Sequence, residues 1–249
     1  MLMHKNTIFF VIIATLAGFI GGFLLANSLN RSEMAIMRSQ AGQTPSPSSN
    51  TAQTQPQADL TDDEIKAKIA EADKNPGNFS FQKELGIALY KYANIKGDNS
   101  ILPEAARILD RANSINSRDF DLLVTLGNVH FDIAYAKKDA VRFQTARNVY
   151  AKALEIKPGD PDVQTDLGLT YFFQEPPSYD NAAAELLKVG NLDPKHERSL
   201  QFLVKVYVAQ GKLTEAEKTL ARIKTLNPNN QAIGELTSLI ASARGTTDK

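Results

Sequence analysis

The chain has no cysteine and no tryptophan. Without cysteine there are no disulfides, no thiolate metal sites, no cysteine nucleophile and no lipidated N-terminal cysteine. Charge of either sign is not in excess: 28 basic residues balance 28 acidic ones over 249 residues. A net charge of zero gives no global field to draw nucleic acid or a membrane surface. Histidine is scarce, with only His4, His130 and His196, and none stands in a metal-ligand spacing. Runs of alternating apolar and polar residues are missing, so no strands are expected, and no glycine-rich phosphate loop follows a strand.

Three regions remain. Thr7 to Ala26 reads TIFFVIIATLAGFIGGFLLA. Twenty helical residues span roughly 30 Å, the hydrocarbon thickness of a bilayer. Residues 7–27 are therefore expected to be a transmembrane anchor behind a short tail, 1–6. The competing reading is a cleaved signal peptide, against which the length of the apolar run argues. Lys5 lies before the run and Arg31 and Arg38 after it, so positive charge barely orients the segment. The expected location is the plasma (inner) membrane, with the bulk of the chain outside the cytoplasm. Ala14, Gly18, Gly22 and Ala26 recur every four residues. That small-residue face admits a close second helix, hence a possible homodimer.

Residues 28–60 are rich in Pro, Ser and Gln, with no large aliphatic or aromatic side chain between Ser39 and Asp59. Such a stretch cannot bury enough surface to offset the entropy of ordering, and reads as a disordered linker. From Leu60 the apolar residues follow helical spacing. Thr61 to Glu64 is a capping box that opens a helix running to about Lys74, which Pro76 and Gly77 then stop.

The remaining chain repeats itself. Leu85-Gly86, Leu126-Gly127, Leu167-Gly168 and Leu203-Val204 are followed three residues later by Leu89, His130, Tyr171 and Tyr207. Each unit then meets a second helix with small residues: Ala105 and Ala112, Ala146 and Ala153, Ala182, Ala216. Pro158, Pro194 and Pro228 close three of these second helices. Asp160 suits a helix cap and Pro161 a first turn.

This pattern resembles the tetratricopeptide (TPR) repeat family, whose period is 34 residues. The resemblance implies an all-α, right-handed superhelical solenoid of antiparallel helix hairpins over residues 61–244. About four repeats are expected, with flanking helices and a disordered tail at 245–249, and one transmembrane helix before them. The spacing from Gly86 to Ala105 and from Gly127 to Ala146 is 19 residues, about two helical turns more than the family pattern. In the first unit NIKGDNSILP reads as a loop, and in the second AYAKKDAVRF as a longer hairpin. A smaller insertion surrounds Glu175-Pro176-Pro177. The segment Asn230 to Ala243 reads as a capping helix for one solenoid end.

The resemblance also implies a concave groove lined by the first helices. Carried over by position, the groove residues are Lys83, Ile87, Tyr90 and Lys91 in repeat one. Repeat two offers Asp121, Val124, Asn128, Phe131 and Asp132. Repeat three offers Thr165, Leu169, Phe172 and Phe173, and repeat four Arg198, Gln201, Lys205 and Val208. Tyr90, Phe131 and Phe172 fall at one repeat position and form an aromatic stripe if they face the groove. The rival reading has them packed against the inserted helix extensions. Under the groove reading, Phe131→Ala or Phe172→Ala weakens partner binding with helicity intact. Lys83 and Asn128 match part of the family's carboxylate clamp, whereas Ile87, Asp162 and Asp166 do not, which argues against a chaperone tail as ligand.

His130 stands at a packing position and reads as a satisfied core histidine. With no constellation for catalysis, no cofactor and no metal are expected, nor an enzymatic activity. The expected function is a membrane-tethered adaptor for a protein or peptide of unspecified identity, with no role for nucleic acid. The second reading is an assembly or chaperone-like factor for an envelope complex, such as cytochrome c maturation.

Overall fold

A computed structural model of the chain describes residues 61–247. The expected anchor, its small-residue face and the linker lie outside the described residues. Among the described residues there are ten α-helices and no strand, and no helix is long and apolar enough to cross a membrane.

Helix α1 (Asp62–Lys74) starts at the expected capping box. Glu64 N donates to Thr61 Oγ1 while Thr61 N donates back to the Glu64 carboxylate at 2.8 Å. Four hairpins follow. The first joins α2 (Phe79–Lys96) to α3 (Leu102–Ile115), the second α4 (Phe120–Lys137) to α5 (Ala140–Ile156). The third joins α6 (Pro161–Phe173) to α7 (Tyr179–Leu192), the fourth α8 (Glu197–Ala209) to α9 (Leu213–Leu226), and α10 (Ile233–Thr247) closes the array.

Two expected boundaries are corrected. Only the middle of the segment read as a loop in the first unit is a connection: α2 continues through Lys96 and α3 begins at Leu102. Only Gly97 to Ile101 connects them, since Gly97 takes the left-handed conformation at φ 66° and Asp98 accepts from Ser100 N to cap a short 3-10 turn. Leu102 is buried, which anchors α3 early. The last helix starts at Ile233, later than expected, because Asn227 to Asn230 form a turn in which Asn230 N donates to Asn227 O. It runs on to Thr247, past the expected end at residue 244. The second insertion lengthens its hairpin as expected, with α4 and α5 separated only by Lys138 and Asp139.

Each hairpin buries alanines against its own first helix and the next unit. Ala105, Ala112, Ala146, Ala153, Ala182 and Ala216 are all fully buried. The glycines permit this approach. A methyl group on Gly86 would lie 2.5 Å from Leu109 Cγ, and one on Gly127 would lie 2.5 Å from the Tyr150 ring. At Gly168 the corresponding contact, to Leu186 Cγ, is 3.2 Å. The buried core is continuous from α1 into α8, with a second cluster formed by α8, α9 and α10.

Polar side chains secure the ends. Asp73 on α1 accepts from Arg107 and Arg111 on α3, and these guanidinium bonds, Arg107 first, hold its carboxyl below the usual range. Asp119, Asp139 and Asp160 cap α4, α5 and α6 through backbone N–H groups. Arg147 on α5 is buried and reaches the C-terminal end of α6, donating to Gln174 Oε1 at 3.0 Å and standing 4.6 Å from the Tyr171 ring centroid. A cation there complements the negative helix end; burial lowers the guanidinium pKa.

Candidate protein-binding face

The first helices of successive hairpins pack along one another, α2 on α4, α4 on α6 and α6 on α8. The residues expected to line a groove are therefore brought together on one ladder of helices. Their environments differ from the expected open surface.

Most polar members bond across to a neighbouring repeat or to the closing segment. Lys83 Nζ donates to both oxygens of Asp119 at 2.8 and 2.7 Å. Tyr90 donates its hydroxyl proton to Asp132 Oδ2 at 2.9 Å. Arg198 Nη2 donates to Asp166 Oδ1 at 2.6 Å, and Gln201 Nε2 to Asn230 Oδ1 at 3.1 Å. Lys205, whose side chain is 3% exposed, pairs with Glu235 Oε1 at 2.7 Å. Asn128 Oδ1 accepts from the Tyr150 hydroxyl at 2.8 Å within its own hairpin. At Asp119 burial opposes ionisation, but the bonds from Lys83 and from backbone N–H groups outweigh it and hold the carboxyl low.

The aromatic stripe is corrected in part. Phe131 is 6% exposed and packs edge-on against Phe143 and Phe173, with ring centroids 5.5 and 5.9 Å apart. Phe143 belongs to the inserted extension, so the longer hairpin covers the ring. Leu169 and Thr165 are likewise buried. Phe172 and Phe173 are half-buried and continue the cluster to Tyr135, Tyr179 and Phe202. Burial raises the phenol pKa of Tyr135 and of Tyr179.

Half-buried apolar surface on the first helices remains at Ile87, Val124, Phe172 and Val208, with Tyr90 and Asn128 beside it, while Lys91 and Asp121 are exposed. Sequence reasoning did not find the partners Asp119, Asn230 and Glu235, nor Glu84, which is exposed one turn before Ile87.

Both histidines of the described residues are held by neighbouring polar groups. His130 is buried between Arg142 Nη1, 3.0 Å from Nδ1, and Asp110 Oδ1, 3.5 Å from Nε2. Arginine only donates, so Nδ1 accepts and Nε2 carries the proton. His196 caps α8, its Nδ1 accepting from Ser199 N, with Nε2 3.2 Å from Asp162. No group of three or more metal-ligating side chains is present among the described residues.

Residues 178–240 match the tetratricopeptide repeat family. No curated protein sequence matches the chain. Among solved structures, that of MamA superposes with a TM-score of 0.54 at 21% identity, covering 66% of this chain and 87% of that one. YrrB, described as a TPR protein with an unusual peptide-binding site, gives a TM-score of 0.55 at 16% identity over 71% of this chain and 84% of that one. A tetratricopeptide repeat protein from Parabacteroides merdae gives 0.57 at 18% identity, covering 74% and 65%. At such identities the likeness is one of fold. Residues 178–240 are thus tetratricopeptide-repeat sequence, and the described residues fold as a tetratricopeptide-repeat solenoid.

Proposed function

We propose that the protein is a non-enzymatic scaffold that binds a peptide or protein segment on the face formed by α2, α4, α6 and α8, and that Thr7–Ala26 tethers it to a membrane. The observation that carries the reading is the surviving apolar surface at Ile87, Val124 and Phe172. It lies on helices whose polar neighbours are bonded to each other. Those bonds hold the ladder of helices in one register, so a ligand meets a formed surface and little ordering cost is added on binding. The peptide-binding site described for YrrB, on a solenoid of the same fold, agrees with this use. The length of the apolar run supports the tether, with the solenoid outside the cytoplasm on the inner membrane. The small face at Ala14, Gly18, Gly22 and Ala26 then offers a way for two copies to pair.

The test is co-purification of partners from native membranes with wild-type protein and with Ile87→Glu and Phe172→Ala variants of unchanged helicity. Loss of the same partner in both variants is expected. A partner set indifferent to both would remove this face from the account.

A further inference from the structure

The ladder has a register that can be followed from repeat to repeat. Asp166 on α6 pairs with Arg198 on α8. In the repeat frame, Asp166 lies two residues before Gly168, and Arg198 six residues before Val204. The equivalent positions one step earlier are Thr125 and Asp162, and at the first step Glu84 and Asp121. The same register thus sets a carboxylate against a guanidinium between repeats three and four, and two carboxylates at one junction between repeats one and two. Glu84 and Asp121 are both exposed, and neither takes part in an ion pair among the described residues.

Apolar surface adjoins this junction. Ile87 and Val124 stand three residues after Glu84 and Asp121, one turn along on the same faces of α2 and α4, and both are half-buried. Three cations of this face are already neutralised, Lys83 by Asp119, Arg198 by Asp166 and Lys205 by Glu235, while Lys91, one turn beyond Ile87, is exposed. A ligand carboxylate would find Lys91 alone or have to break one of these pairs, whereas a ligand cation meets two carboxylates, Glu84 and Asp121, one turn before Ile87 and Val124.

We infer that the site recognises a peptide segment carrying a bulky apolar residue next to a Lys or Arg, the apolar side chain resting on Ile87 and Val124 and the cation between Glu84 and Asp121. Charge complementarity selects this occupant over an acidic tail. The inference rests on the peptide-binding reading above and specifies the ligand for it.

The test is to pan a phage-displayed library of random 12-residue peptides against the full chain, then measure the synthetic consensus peptide by fluorescence anisotropy. Expected are enriched sequences pairing an apolar residue with Lys or Arg. A Glu84→Gln/Asp121→Asn double variant should bind the consensus about 3- to 10-fold more weakly, with less dependence on salt and unchanged circular dichroism. An acidic consensus, or affinity kept by the double variant but lost in Ile87→Glu, would overturn this ligand assignment and leave the binding face standing. Enriched peptides whose binding survives both Ile87→Glu and Val124→Glu would overturn the face and the assignment together.

Discussion

Gly127 offers the sharpest test of the packing that creates the binding face. A methyl group added there would lie 2.5 Å from Tyr150 Cε1 and 2.7 Å from Cδ1. The ring has nowhere to go: Tyr150 is 1% exposed, and its hydroxyl is fixed by Asn128 at 2.8 Å. Overpacking of this kind costs about 1–3 kcal/mol. Replacing glycine by alanine in a helix recovers about 0.8–1.0 kcal/mol. A 2.5 Å contact with an enclosed ring calls for the upper part of that range, about 2–3 kcal/mol, so the net expectation for Gly127→Ala is a loss of roughly 1–2 kcal/mol. Gly190, also in a helix, has nothing within 4 Å of the added methyl, so Gly190→Ala should gain roughly 0.5–1 kcal/mol. At about 2–4 °C per kcal/mol for a domain of this size, thermal melts followed by circular dichroism at 222 nm (about 222 nm being the helical band) should separate the two variants by several degrees. Gly168→Ala, with its contact at 3.2 Å, should fall between them. A Gly127→Ala melt at or above the parent, or a Gly190→Ala melt as low as that of Gly127→Ala, would refute the close-approach argument.

Other consequences are equally direct. Phe131→Ala should destabilise the solenoid by about 3–5 kcal/mol in chemical denaturation, since the ring is enclosed by Phe143 and Phe173; a change under about 1 kcal/mol would mean the ring is not core. Lys205→Ala should cost roughly 1–3 kcal/mol, discounted because Glu235 keeps some solvent, whereas Lys205→Met with Glu235→Gln should cost less than the single change. For Asp119 the folded pKa is depressed, so its contribution is complete above the unfolded value near 4 and is lost as pH falls through the folded value. Acid titration of wild type against Lys83→Gln should show a shallower stability loss below about pH 4 in the variant. Asp160→Ala removes the cap on Val163 N and should cost about 1 kcal/mol, visible as faster hydrogen exchange at the start of α6.

The repeat was legible in the sequence because it is written in small residues. Gly86, Gly127 and Gly168 mark the close approaches, and the buried alanines mark the facing helices. The capping box at Thr61 and the cap at Asp160 mark helix starts, since few side chains suit that position. The loop between α2 and α3 was misjudged because Asn, Gly, Asp and Ser suggest a long turn, whereas tertiary burial of Leu102 restarts the helix early. Groove exposure was less legible. A repeat position specifies direction only for a hairpin of standard length, and the extension that carries Phe143 covers Phe131. The cross-repeat pairs were hidden for a different reason. Lys83 with Asp119 and Arg198 with Asp166 are separated by 36 and 32 residues and occupy different repeat positions, so neither a local window nor the repeat pattern points to them.

The most direct measurement is site-specific photo-crosslinking from position 124, on the first-helix face, against position 187, where Leu187 is exposed on the second helix α7. Both probes would sit in the full chain in native membranes, with products identified by mass spectrometry. The account predicts one dominant partner crosslinked from position 124, absent from position 187, and competed by the consensus peptide. Equal products from both positions, or products only from 187, would contradict it and move the working surface to the second helices.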